Sequence, residues 1–188
     1  QRTAVEHKDG PIMIIAGAGS GKTKVLTTRI AHLMGYHHID AFNILALTFT
    51  NKAAAEMKER IERILGNSDA RNLYIGTFHA VFAKILRAEA TKIGYPSNFT
   101  IYDTDDSKSL IRSILKELQL DDKLYNANFV YNRISNAKNN LISSAEYVQS
   151  EHIQSEDRAS GRGQLGEIYQ AYTQRCFKAG AMDFDDLL

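Results

Sequence analysis

The feature that most constrains this chain is a glycine-rich octapeptide at residues 16–23, Ala-Gly-Ala-Gly-Ser-Gly-Lys-Thr. The apolar run before it, residues 11–16, is typical of a strand that is buried on both faces. After it, from residue 22 to residue 34, apolar side chains recur at helical spacing. A buried strand, a tight turn and an amphipathic helix in this order predict one unit of a parallel α/β sheet.

The octapeptide fits the phosphate-loop pattern, with alanine in the first position where glycine is commoner. Glycines let consecutive backbone N–H groups turn toward one centre, and the N-terminal end of the next helix adds positive potential there. Lys22 is then expected to contact the β- and γ-phosphates, and the Thr23 hydroxyl to bind Mg²⁺. The alternative is a glycine-rich turn with a chance lysine. The motif indicates a nucleoside triphosphate but leaves kinase, GTPase and helicase chemistry open.

Two more strand–helix units follow. Apolar runs at residues 44–48 and 73–76 predict strands, and a helix is expected after each, at residues 53–65 and up to residue 93. This β-α-β-α-β-α order predicts an α/β fold with a parallel sheet flanked by helices and right-handed crossovers.

After residue 95 the pattern changes to amphipathic helices with almost no buried strand. We therefore expect an all-helical subdomain, residues 96–175, inserted into the α/β domain formed by residues 1–95 and 176–188. Helical spacing predicts three long helices in and beside this insert, at residues 104–119, 128–138 and 165–178.

Shorter signals concern the loops and the end of this region. Ser143 and Glu146 have capping-box spacing and predict the start of a short helix. Residues 155–163 are polar and contain glycine, so a mobile loop is expected. The acidic segment 183–186 suggests metal ligands, but acidic residues also favour the first turn of a helix, and we prefer that second interpretation.

Bulk charge does not indicate a partner, because 23 basic and 22 acidic side chains leave a formal net charge of +1. An anionic ligand must therefore be held by a local arrangement. Cys176 is the only cysteine, which excludes an internal disulfide and favours a reducing compartment. No stretch approaches the roughly 20 apolar residues that span a bilayer, and residues 1–5 show no signal peptide. We expect a cytoplasmic protein without a membrane partner.

Four segments resemble UvrD/Rep/PcrA-type superfamily 1 DNA helicases and lie in family order along nearly the whole chain. Residues 48–57, Thr-Phe-Thr-Asn-Lys-Ala-Ala-Ala-Glu-Met, resemble motif Ia, and residues 76–80, Gly-Thr-Phe-His-Ala, resemble the motif after it. Residues 1–5 resemble the end of the Q motif, whose glutamine reads the adenine edge. Residues 183–188 resemble the segment shortly before the Walker B strand.

This resemblance implies a P-loop NTPase of RecA-like fold, truncated before Walker B, with ATP and Mg²⁺ as cofactors. It makes Lys22 and Thr23 the catalytic residues, with Thr23 on the Mg²⁺ of ATP, and Gln1 the adenine contact. The nucleotide contacts that we expect are Gln1, Ala16, Gly17, Ala18, Gly19, Ser20, Gly21, Lys22, Thr23 and Lys24.

Polar and aromatic residues follow the second and third predicted strands, at the sheet edge that the phosphate loop also occupies. Flat side chains for stacking, together with groups that bind phosphates, are what sequence-independent binding of single-stranded DNA needs. The predicted DNA contacts are Phe49, Thr50, Asn51, Lys52, Thr77, Phe78 and His79.

Each of these residues also has a structural interpretation. Phe49 and Phe78 have packing beneath the sheet edge as the alternative, and Asn51 has a helix cap. For Lys52 the alternative is a solvated helix face, and for His79 a hydrogen bond at the start of a helix.

The resemblance implies an ATP-driven motor that moves 3′ to 5′ on single-stranded DNA and acts at single-strand/double-strand junctions, in repair or replication. Protein partners are not predicted. No Asp-Glu-x-Gln segment occurs in the 188 residues, so we expect negligible ATP turnover by the chain alone. The alternatives are a nucleotide kinase, a non-catalytic single-strand-binding module and a subunit of a RecB/AddA-like helicase–nuclease.

Overall fold

The computed structural model describes residues 1–66 and 69–188, and the chain forms two compact units, Gln1–Val81 and Phe82–Leu188. No helix in the described ranges is long and apolar enough to cross a membrane. The first unit contains, in chain order, α1 (Arg2–Glu6), α2 (Lys22–Gly35), β1 (Leu45–Thr48), α3 (Asn51–Leu65), β2 (Tyr74–Thr77) and the start of α4 (Phe78–Glu89). The second contains β3 (Thr100–Tyr102), α5 (Thr104–Glu117), α6 (Ala127–Asn139), α7 (Ser144–Gln149), α8 (Glu151–Ala159), α9 (Leu165–Lys178) and β4 (Ala181–Asp183).

A parallel strand pair and its crossover helix organise the first unit. β1 and β2 run parallel, with Leu45 opposite Tyr74 and Thr48 opposite Thr77. α3 joins them and packs on both strands and on α2, as a parallel connection requires. Ile61 of α3 is fully buried at the centre of this core. The predicted parallel pairing is confirmed for these two strands, whose bounds match the predicted runs within one residue.

The predicted first strand, residues 11–16, is wrong. These residues form no strand, and Met13 and Ile15 are 84% and 90% exposed. An apolar run becomes a strand only where another backbone completes its hydrogen bonds, and within the described ranges no strand lies beside it. The turn and the helix after it form without that strand.

α3 begins and ends where its capping groups dictate. The Thr50 side chain accepts a hydrogen bond from the Ala53 backbone N–H (3.2 Å), so Thr50 is the N-cap. The alternative of Asn51 as the cap is therefore wrong, because Asn51 is already the first helical residue. At the other end Gly66 adopts φ +70°, a left-handed conformation that glycine tolerates without strain. In the sequence, Gly66-Asn67 predicts the end of this helix. The end at Gly66 is confirmed, and Asn67 lies outside the described residues.

The second unit is mainly helical and has its own core. α5, α6, α7 and α9 bury Ile111, Val130, Tyr147 and Ile168 against one another. The predicted capping box is confirmed: the Ser143 hydroxyl accepts from the Glu146 N–H, and the Glu146 carboxylate accepts from the Ser143 N–H.

Two predictions for this region are wrong. The segment expected to be all-helical contains β3, which pairs in parallel with β4, and such a three-residue strand is too short for a periodic signal. Residues 155–159, expected in a mobile loop, belong to α8. Asp157 anchors that helix, since its buried carboxylate accepts from Arg133 (3.0 Å) and from the Tyr147 hydroxyl (2.7 Å).

Candidate functional site

The octapeptide forms an open turn that leads directly into α2. Gly19 and Gly21 have φ of +75° and +87°, so both need the left-handed conformation that glycine supplies. A Cβ atom at Gly17 or Gly19 would meet no other atom within 4 Å. The Ser20 hydroxyl donates to the Gly17 carbonyl at 2.6 Å. There is therefore free space around Gly17 and Gly19, just before the N-terminus of α2.

The Lys22 side chain folds back over this loop. Its Nζ donates to the carbonyl oxygens of Ala16 (2.8 Å) and Gly17 (2.7 Å). Thr23 and Lys24, in the first turn of α2, have exposed side chains. The ammonium group thus lies within the turn itself, and the three side chains reach solvent on the same first turn of the helix.

Gln1 is brought to the same loop, although 19 positions separate it from Ser20. Its Nε2 donates to the Ser20 carbonyl at 3.0 Å, and it forms the N-cap of α1. The structure therefore joins all the predicted nucleotide contacts, residues 16–24 and Gln1, in one region of the first unit.

Arg29 on α2 makes contacts with α1 and His7 that the sequence does not predict. Its guanidinium donates to the carbonyl oxygen of Ala4 (3.0 Å) and also to that of His7, at the C-terminal end of α1. The sequence carries no signal for this pairing, because it depends on how α1 packs against α2. Both ends of α1 are consequently hydrogen-bonded to the loop or to its helix.

The predicted DNA contacts lie where β1 and β2 end side by side. Thr48 and Thr77, the last residues of the two strands, are register partners, and the Thr48 hydroxyl donates to the Thr50 carbonyl at 3.0 Å. The structure therefore brings two distant segments of the chain together at this strand end. They contain the seven predicted residues Phe49, Thr50, Asn51, Lys52, Thr77, Phe78 and His79.

Two aromatic rings stand at this edge. Phe49 is 93% exposed, so the alternative that it packs beneath the sheet is wrong. Phe78 is 37% exposed, and the two ring centroids are 5.9 Å apart with their planes tilted by 42°. Asn51, Lys52 and His79 are exposed as well. The edge offers one fully accessible aromatic face with polar and basic groups around it.

The acidic segment near the end of the chain forms a charge cluster in the second unit. Asp183 and Asp186 each accept a hydrogen bond from the other's backbone N–H at 3.0 Å. Lys138 of α6 donates to both carboxylates, at 2.7 and 2.6 Å. Asp185 and Asp186 lie in the first turn of the short 3-10 helix Asp185–Leu187, which agrees with the preferred interpretation of this acidic segment.

Burial and charge oppose one another in this cluster. Burial favours the neutral amine of Lys138, but the carboxylates of Asp186 and Asp183 outweigh it and raise the pKa of Lys138 above its ordinary value. Burial likewise favours protonated Asp183, yet Lys138 holds the pKa of Asp183 below its ordinary value. Tyr172 donates to Asp183 at 2.9 Å, and its pKa is raised by burial and by that carboxylate. These paired charges link α6 to the end of the chain. They are far in sequence from the octapeptide at residues 16–23.

Comparison with known proteins agrees with the motifs. The family described as the UvrD/REP helicase N-terminal domain matches residues 1–188. Over the full length of the chain, the identity is 44% to "ATP-dependent DNA helicase UvrD1" of Mycobacterium leprae and 46% to the protein of that name from Mycobacterium tuberculosis H37Rv. It is 45% to "ATP-dependent DNA helicase PcrA" of Bacillus subtilis. The chain spans 24% of the length of each of these relatives. It belongs to the UvrD/REP helicase N-terminal domain family.

Proposed function

We propose that this chain is the nucleotide-binding part of an ATP-dependent DNA helicase that moves along single-stranded DNA. One observation carries the proposal. The first unit combines a glycine turn at the start of α2 with an exposed aromatic edge at the ends of β1 and β2. A motor needs both sites, because nucleotide binding and hydrolysis must be coupled to the surface that binds the DNA strand.

The turn suits a phosphate chain for three reasons. Its glycines leave room for oxygen atoms above the backbone, the N-terminus of α2 favours negative charge, and Lys22 places an ammonium group at the turn. When nucleotide binds, the Lys22 ammonium exchanges its two carbonyl partners for phosphate oxygens. The exposed Thr23 hydroxyl would coordinate the Mg²⁺ of the nucleotide, and Lys24 lies one residue further along the same turn. ATP would supply the transferable phosphoryl group, and Mg²⁺ would neutralise part of its charge.

The strand-end edge suits single-stranded nucleic acid. Phe49 offers an uncovered ring on which a base can stack, and Phe78 supports that ring from one side. Thr50, Asn51, Lys52, Thr77 and His79 supply hydrogen-bond donors for a backbone that passes the edge. Such contacts bind single-stranded DNA independently of its base sequence. A protein that moves along the strand needs this kind of binding.

The finer features of the motor belong to the same proposal. They are 3′-to-5′ movement, action at single-strand/double-strand junctions, work in repair or replication, and the domain boundaries after residues 95 and 175. The names of the relatives support the helicase activity of the whole protein. The site residues rest on the geometry of the first unit.

The test measures the binding of ATP and of DNA separately. Lys22→Ala should lower the affinity for MgATP by at least about tenfold, because a charge-assisted contact is lost. It should leave binding of an oligothymidylate unchanged. Lys123→Ala, at an exposed lysine of the second unit, is the matched control. If Lys22→Ala binds MgATP like wild type, the nucleotide role fails and a non-catalytic strand-binding module becomes the better description.

The DNA edge is tested with a pair of exposed phenylalanines. Phe49→Ala should weaken oligothymidylate binding by about tenfold, since stacking on an aromatic ring contributes roughly 1–3 kcal/mol per base. Phe42 is 61% exposed and precedes β1 at its other end, so Phe42→Ala should have no effect. Equal losses in both variants would rule out the strand-end edge as the DNA site.

A further inference from the structure

We propose that Arg29 is a positioning residue for base recognition. By holding the C-terminal end of α1, it places the Gln1 amide beside the phosphate loop and so sets the preference of the site for ATP over other nucleoside triphosphates. The inference rests on the proposed nucleotide site and deepens it, because Arg29 itself belongs to neither the phosphate loop nor the base contact.

The first step concerns the length of α1. It has five residues, none of them buried. Isolated helices shorter than about 12 residues are marginal in water. The position of α1 therefore depends on the contacts that it makes with the rest of the unit, and the element that it packs against is α2.

Arg29 is the polar link between these two helices. One guanidinium nitrogen donates to the carbonyl oxygens of Ala4 and His7. These carbonyls lie at the C-terminal end of α1, where the helix dipole favours a positive charge. A planar guanidinium presents its donors in a fixed fork, so it fixes direction as well as distance. Arg29 is half-buried, which strengthens its hold relative to a surface contact.

The other end of α1 carries Gln1. Because a glutamine amide has two N–H donors and one acceptor oxygen, the bond to Ser20 uses only one donor. One N–H and the Oε1 remain. That pair matches adenine, whose N7 accepts and whose 6-amino group donates. A base with a keto group at position 6 turns an acceptor toward Oε1 and loses that bond.

The arrangement separates two tasks. The loop holds the phosphates of any nucleoside triphosphate, whereas the orientation of Gln1 decides which base fits. Arg29 acts only on the second task, since its hydrogen bonds go to α1 and not to residues 16–23. Loss of Arg29 should therefore reduce base preference and leave phosphate binding intact.

The experiment compares MgATP, MgITP and magnesium tripolyphosphate by titration calorimetry on the full chain. In Arg29→Met the affinity for MgATP should fall about tenfold, the worth of one bidentate base contact. The affinities for MgITP and tripolyphosphate should change less than about twofold. Arg63→Met is the matched control, because Arg63 is an exposed arginine that pairs only with Glu59 in the described residues.

A double variant tests whether Arg29 acts through Gln1 or stabilises the nucleotide site in general. Gln1→Ala should lose the same preference for MgATP over MgITP, and Gln1→Ala combined with Arg29→Met should lose no more than either alone. Additive losses would overturn the proposal, as would a loss of tripolyphosphate binding in Arg29→Met. If the wild-type chain binds neither MgATP nor tripolyphosphate, the proposed function itself fails. Unchanged preference in Arg29→Met, with a selective wild type, rejects only the role of Arg29.

Discussion

At the scale of single residues, Lys138 shows how a charge is kept inside this protein. Its side chain is 11% exposed and pairs with Asp183 and Asp186, whose side chains are 3% and 29% exposed. Removing charges from water is costly, so the loss of one partner leaves a buried charge without compensation and destabilises the unit. The two contacts join residues that are 45 and 48 positions apart along the chain. No local pattern in the sequence predicts them.

Replacing Lys138 should therefore destabilise the second unit strongly. Lys138→Met keeps the length of the side chain and removes the ammonium, which leaves two carboxylates facing each other. The free energy of unfolding should fall by about 3–5 kcal/mol, as measured by urea denaturation. Lys123→Met, at an exposed position, should change it by less than about 0.5 kcal/mol. A loss below about 1 kcal/mol in Lys138→Met would mean that water already solvates the cluster.

At the scale of elements, the start of α3 can be tested by substitution of Thr50, its N-cap, and of Asn51, the alternative cap. Thr50→Ala removes the oxygen that accepts from the Ala53 N–H, so the free energy of unfolding should fall by about 1 kcal/mol. Asn51→Ala should change it by less than about 0.5 kcal/mol, because Asn51 is exposed and inside the helix. Thr50→Ser restores the hydroxyl and should recover most of the loss. A larger loss in Asn51→Ala than in Thr50→Ala would return the cap to Asn51.

The same scale shows which elements a sequence can predict. β1, β2 and α3 are set by local apolar spacing and by caps within four residues, and their predicted bounds lie close to the observed ones. Residues 11–16 have an equally clear apolar pattern but form no strand, because the outcome depends on a neighbouring backbone rather than on the run itself. α8 was missed for the opposite reason. Its sequence is polar, and Asp157 is buried only through Arg133 and Tyr147, distant residues of the same unit.

At the scale of the whole molecule, some parts of the candidate site can be predicted from local sequence and others depend on tertiary packing. The glycine turn at the start of α2 and the pairing that brings the ends of β1 and β2 together could be predicted, because a local motif and a strand–helix–strand order specify them. Arg29 could not, since its role follows from the packing of α1 on α2. Both parts lie in the unit Gln1–Val81, so the proposed binding of nucleotide and of the DNA strand should depend on residues of this unit.

ATP turnover is the property that this chain should lack. Hydrolysis of the γ-phosphoryl needs a residue that orients the attacking water and an acidic ligand for Mg²⁺ besides the Thr23 hydroxyl. The 188 residues contain no Asp-Glu-x-Gln segment to supply them. Phosphate release from MgATP should therefore stay far below the roughly one per second typical of slow enzymes, with or without oligothymidylate. Lys22→Ala, measured in parallel, gives the background. Release by the wild type at about one per second, abolished in Lys22→Ala, would place the missing catalytic group among these residues and overturn this expectation.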